Sequence, residues 1–89
     1  MRITVDISMY PLAEDYKPAI KNFVHKLRTF ARLQIVTNQL STQVNGEFTD
    51  VNAALTECMR DVMQAPQKVV FVARYVNADL DVSTLPELD

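Results

Sequence analysis

Glycine occurs once in the 89 residues, at Gly46, so the chain lacks the several glycines that open a helix around a nucleotide's phosphates. Cysteine also occurs once. Cys58 has no partner for an internal disulfide, which fits a reducing compartment, and it falls on an apolar helical stripe, where a free thiol acts as a small apolar side chain. His25 is the only histidine and has no cysteine at metal-ligand spacing, so it reads as solvated and no metal site is expected. No apolar run approaches the ~20 residues that span a bilayer, and the first residues read as a strand rather than a secretory h-region. A cytoplasmic protein without a membrane partner is the expectation. A net charge of −2 with scattered basic residues gives no reason to approach a phosphate backbone, so nucleic acid is not an expected partner.

What is present suits one folded domain. Apolar residues make up 48% of the chain and charged residues 22%, too apolar for a disordered segment and too short for two cores. Ile3, Val5, Ile7 and Met9 alternate with Thr4, Asp6, Ser8 and Tyr10, the period of a strand with two distinct faces, and Pro11 closes it. Asp15 is placed to cap a helix that tolerates Pro18 in its first turn. The stripe of that helix is Ile20, Phe23, Val24, Leu27, Phe30 and Ala31.

Leu33 to Thr37 and Leu40 to Val44 predict a hairpin turning at Asn38-Gln39. Gly46 follows, and Thr49 or Asp50 supplies the cap of a second helix with Val51, Ala54, Leu55, Cys58, Met59 and Val62 on one face. Pro66 ends it, and Lys68 to Val76 forms a fourth strand. Residues 78–89 are acidic and aperiodic, a tail or an arm laid on a partner, beyond a domain at residues 1–77.

The order βαββαβ predicts an α+β ferredoxin-like sandwich: a four-stranded antiparallel sheet ordered 4-1-3-2 with both helices on one face. The helices should cover Ile3, Val5, Ile7 and Met9 together with Leu40 and Val44. Thr4, Asp6, Ser8 and Tyr10 then share the open face with Ser41, Gln43 and Asn45. The fourth strand is apolar on both sides, which predicts that the open face packs on another copy.

No catalytic constellation emerges. Asp6 and Glu47 could in principle act as an acid/base pair, but nothing in their spacing brings them together. The expectation is a protein that is not an enzyme, with neither metal nor cofactor.

The stretch Ile7-Ser8-Met9-Tyr10-Pro11-Leu12, followed after one helix by Leu40-Ser41-Thr42-Gln43-Val44-Asn45-Gly46-Glu47 and Asp50-Val51, resembles the thiamin/hydroxymethylpyrimidine-binding YkoF-like family over roughly residues 2–76. The resemblance implies a ferredoxin-like fold, association through sheets as a homodimer or homotetramer, and a small heterocyclic ligand, thiamin or its pyrimidine part. It implies a lining from the Tyr10-Pro11-Leu12 loop and the Ser41-Thr42 strand. Hydroxyls of Ser8, Ser41 and Thr42 can both donate to and accept from an aminopyrimidine, Tyr10 can stack on its ring, and Asp6 or Glu47 can neutralise a thiazolium. The competing expectation is structural: Thr42 turned into the core, Tyr10 stapling the strand end, and Ser8 with Ser41 in an interface, the chain then serving as an oligomerisation module. Members best known for binding carry two such domains per chain, so a single domain is expected to complete its site in a homo-oligomer.

Overall fold

The alternating N-terminal residues form β1 (Arg2–Pro11), with Ile3, Val5 and Ile7 buried on one face and Asp6 and Ser8 partly accessible on the other. The computed structural model describes residues 1–88. After β1 come α1 (Lys17–Leu27), β2 (Gln34–Thr37), β3 (Thr42–Glu47), α2 (Phe48–Met63) and β4 (Val69–Val76). The strands make one antiparallel sheet in the order β2-β3-β1-β4, the expected ferredoxin-like topology. Phe23, Val24 and Leu27 of α1 and Val51, Ala54, Leu55 and Cys58 of α2 close the core against Ile3, Val5, Ile7 and Val44. The rings of Phe23 and Phe71 meet with centroids 5.2 Å apart.

Several local expectations are corrected. Asp15 does not cap α1: Tyr16 holds the N-cap position without a side-chain bond. The helix stops at Leu27 rather than running to Ala31. Thr29 and Phe30 take tighter i−3 backbone bonds, to Lys26 and Leu27, and the Thr29 hydroxyl donates to the Lys26 carbonyl at 2.6 Å, competing with the helical pattern. Phe30 still packs on the core from the turn, whereas Ala31 is exposed.

The β2–β3 turn spans Asn38 to Ser41, not two residues. The Asn38 side-chain oxygen accepts from the amides of Leu40 (2.9 Å) and Ser41 (3.0 Å), and the Asn38 amide donates to the Ser41 carbonyl (3.0 Å). Leu40 consequently sits at the turn, 87% exposed, instead of on the helix-covered face. Thr42, Val44 and Gly46 take that face, opposite Ile7, Val5 and Ile3.

Gly46 therefore lies inside β3 rather than after it, and its φ is not positive. Its role is space, since a Cβ there would stand 2.6 Å from Leu33 Cδ2 and 3.4 Å from Val51 Cγ2. Gly46→Val is expected to cost about 2–3 kcal/mol by overpacking. A urea-unfolding midpoint equal to that of the parent chain would contradict this. Because β3 runs to Glu47, α2 starts at Phe48, earlier than the expected Thr49 or Asp50 cap. The Phe48 amide is satisfied by the Met1 carbonyl at 2.9 Å, and Asp50 complements the dipole from the first turn.

Beyond β4 the chain returns over its own open face. Thr4 Oγ1 donates to the Ala78 carbonyl (2.8 Å) and accepts from the Leu80 amide (3.1 Å), while Asp79 meets Asn45 Nδ2 (2.9 Å) and Arg2 Nε (3.0 Å). Asn45, 2% exposed, also accepts from Arg2 and donates to Thr4, so every polar atom it buries is engaged. Asp89, the last residue of the acidic segment, lies outside the described residues. No helix of the described residues is long and apolar enough to cross a membrane.

Candidate functional site: a neutral cleft beside a charged cluster

At the end of β1 the chain leaves the sheet through Tyr10, Pro11 and Leu12, passes Tyr16 into α1, and faces the β2–β3 turn. Between these segments opens a cleft of about 540 Å³. Its apolar walls include Met9, Leu12 and Ile20, and its polar groups include those of Tyr10, Tyr16, Thr37, Asn38, Ser41 and Thr42. Among the described residues no charged side chain lines it. This size and mixture, mostly apolar with a few placed polar groups, suits a small flat molecule.

The most buried polar group of the cleft is the Thr42 hydroxyl, whose oxygen lies 3.0 Å from that of the exposed Thr37 across the β2–β3 ladder. Two hydroxyls facing one another use one proton and one lone pair between them. The pair keeps a second proton and further lone pairs, so it can donate to a ring nitrogen and accept from an amine. The turn that brings Thr37 opposite Thr42 is the one Asn38 ties together, which makes the cleft wall a consequence of a single side-chain cap.

On the open face, one strand away, Asp6 collects a second set of polar groups. Its carboxylate accepts from Ser41 Oγ (2.6 Å), Gln43 Nε2 (2.8 Å) and Arg74 Nη2 (2.8 Å). The Ser41 hydroxyl bond does most to hold the Asp6 carboxyl below its ordinary value of 3.8, against partial burial, with Arg74 and Gln43 adding to it. A carboxyl lowered on folding contributes stability that is present above the unfolded value and is lost as pH falls through the folded one. Asp6→Asn is therefore expected to cost about 1 kcal/mol at neutral pH, a modest figure because Arg74 is 80% exposed. The gap between parent and variant should close below about pH 4. Chemical unfolding at pH 7 and pH 3 measures it; a gap that widens toward acid would contradict the assignment.

Of the residues expected to bind a ligand, Tyr10, Ser41 and Thr42 line the cleft together. Thr42 is also nearly buried, facing the helices, and Ser41's hydroxyl is committed to Asp6. Asp6, Ser8 and Glu47 lie elsewhere. Ser8 stands on the open face opposite Val72. Glu47 stands opposite Arg2, four residues along β3 from the partner of Asp6, or about 13 Å, and pairs with the N-terminal ammonium at 3.3 Å. Neither carboxylate is free of a cation. Tyr16, Thr37 and Asn38 are cleft residues that the sequence did not single out. Thr37 was hidden by the assumed two-residue turn, since only a four-residue turn places it opposite Thr42.

A smaller hollow of about 230 Å³ has Cys58 and the Lys26–Asp61 ion pair (2.9 Å) in its lining. Burial pushes the Cys58 thiol above its ordinary range, away from nucleophilic chemistry. His25 is exposed, and no group of three metal-binding side chains exists among the described residues.

Known structures share the architecture. The chain is similar to the "putative thiamine biosynthesis/salvage protein" of Thermotoga maritima (TM-score 0.74, 21% identity, covering 97% of this chain and 90% of that one). It is also similar to a Streptococcus pneumoniae protein (TM-score 0.79, 18% identity, 96% and 93% covered). A hypothetical protein of Methanocaldococcus jannaschii gives a TM-score of 0.77 at 17% identity, with 94% and 88% covered. At these identities the likeness is one of fold. No curated protein matches the chain. The sequence model of the YKOF-related family matches residues 2–77, a span that takes in all four strands and both helices, and the chain belongs to that family.

Proposed function

We propose that this protein binds thiamin, hydroxymethylpyrimidine or a similar small heterocycle in the cleft at the end of β1, without catalysing a reaction. Three things support the reading: family membership, a fold-level neighbour whose name refers to thiamine biosynthesis or salvage, and the cleft itself. The observation that carries it is the Thr37–Thr42 hydroxyl pair set among apolar and aromatic walls. An aminopyrimidine offers ring nitrogens and an amine to that pair and a flat face to Tyr10 or Tyr16.

The absence of charge in the lining favours the neutral pyrimidine over the thiazolium. A cation has no carboxylate to meet there and gains only the faces of Tyr10 and Tyr16. The protein acts as a carrier, sensor or buffer of the ligand in the cytoplasm, and copies associate through the open sheet faces, where Val70 and Val72 are exposed beside Ser8.

Calorimetric titration with hydroxymethylpyrimidine and with thiamin tests the reading. Saturable heat is expected with both and tighter binding with the pyrimidine; no heat at millimolar concentrations of either would end it. The competing reading, an oligomerisation module with no small ligand, predicts that silence together with an intact assembly.

A further inference from the structure

The hollow beside Cys58 is distinct from the cleft. The two share Met9, Pro11 and Phe23 as a common wall, and otherwise their linings are separate. One face of α1 contributes Ala19, Asn22, Phe23 and Lys26 at helical spacing, and α2 contributes Cys58, Asp61 and Val62 in the same way. Ala19 and, just past the end of α2, Ala65 have short side chains that leave the space unfilled. Phe23 and Cys58 are buried, and Met9, Val62 and Val69 half-buried, so one side of the hollow is apolar. A dry cavity of about 150 Å³ accepts benzene. At 230 Å³ the hollow has room for a single ring, or a short alkyl chain, together with a polar head.

Charge selects the head. Lys26 and Asp61 satisfy one another at 2.9 Å, whereas Lys68, the other cation of the lining, joins none of the ion pairs of the described residues. Burial keeps the Cys58 thiol protonated, so no thiolate opposes an anion there. The lining therefore carries a surplus of one positive charge, with the side-chain amides of Asn22 and Gln67 as further N–H donors. The backbone of Lys68 is tied in place: its carbonyl accepts from the Leu12 amide at 2.9 Å, and the next residue, Val69, pairs with Pro11.

We propose that the hollow is a second binding site, for a small apolar monocarboxylate such as a single-ring acid or a short alkanoate. The hydrocarbon lies against Phe23, Val62 and Val69, and the carboxylate meets the Lys68 ammonium. A neutral amide of the same shape gains nothing from that ammonium. A second carboxylate on the ligand would have to enter the apolar side or approach Asp61, which excludes dianions. The site stands whatever the cleft binds, because it rests on a different lining.

The test is a titration of the full chain with benzoate, hexanoate and benzamide, each followed by backbone amide resonances. Both acids should give saturable shifts at Asn22, Cys58, Gln67 and Lys68 and leave Tyr16, Asn38 and Thr42 of the cleft unmoved. Benzamide should bind at least about fivefold more weakly than benzoate. Lys68→Met should remove that difference, lowering benzoate affinity by the same factor and leaving benzamide unchanged. The fold should persist in this variant, since only the backbone of Lys68 bonds to Leu12. Ala19→Leu fills the space from a helical position that suits leucine, and it should abolish binding of all three. No saturable shift at tens of millimolar of either acid overturns the proposal. So do shifts centred on the cleft, benzamide binding as tightly as benzoate, or benzoate affinity unchanged in Lys68→Met.

Discussion

Replacing Leu55 with alanine is expected to remove about 3 kcal/mol of folding stability. Leu55 is 1% exposed in the middle of α2, one turn from Val51 and Cys58, and belongs to the cluster that includes Val5 and Val44. Truncation removes its burial and leaves a cavity that β1 and β3, held in a ladder on both sides, cannot collapse to fill. A domain of this length has a total stability of roughly 4–13 kcal/mol, so one methyl-bearing branch carries a large share of it. The melting temperature should fall by about 15 °C or more. Leu40→Ala is the internal control. The same chemical change at the exposed turn should move stability by less than about 0.5 kcal/mol. Equal effects at the two positions would contradict the placement of the core.

Thr42→Val is expected to lower affinity for hydroxymethylpyrimidine at least about tenfold while costing the fold under about 1 kcal/mol. Valine keeps the shape and suits a strand, and the Thr37 hydroxyl left behind can turn to solvent because Thr37 is exposed. The ligand instead loses the more buried of the two hydroxyls that together answer its donor and its acceptor. A tenfold loss corresponds to about 1.4 kcal/mol, within the range of one neutral hydrogen bond. Calorimetry on parent and variant checks it, with far-ultraviolet circular dichroism confirming the fold. Unchanged affinity would mean that Thr42 is a core residue and nothing more.

The fold was legible because its determinants are periodic. Strict alternation from Ile3 to Tyr10, a stripe every three or four residues from Val51 to Val62, and a β-branched run at the end suffice to order six elements and predict the sheet. The places where the sequence misled are those where one side chain or one contact decides. Asn38 turns two expected turn residues into four by accepting two amides, which moves Leu40 out of the core and brings Thr37 opposite Thr42. Gly46 signals a close approach, not a bend, and only the position of Leu33 reveals it. Helix α2 gains its start from the Met1 carbonyl, a contact between chain positions nearly fifty residues apart that no local pattern encodes.

The candidate site divides in the same way. Tyr10, Ser41 and Thr42 converge because β1 and β3 are neighbours, which topology predicts. The charges do not follow, since Asp6 and Glu47 find their partners in Arg74 and the N-terminus. Side-chain pairing across β4 and at the chain end lies beyond what alternation can tell. The result is a cleft without charge beside a face that holds its charge in a closed cluster.

The most direct test of the cleft is to follow backbone amide resonances while hydroxymethylpyrimidine is added. The account predicts saturable shifts at Leu12, Tyr16, Asn38, Ser41 and Thr42, with the Cys58 hollow and the outer surface of α2 unmoved. Shifts centred on the Cys58 hollow, or none at a millimolar excess of ligand, would contradict it.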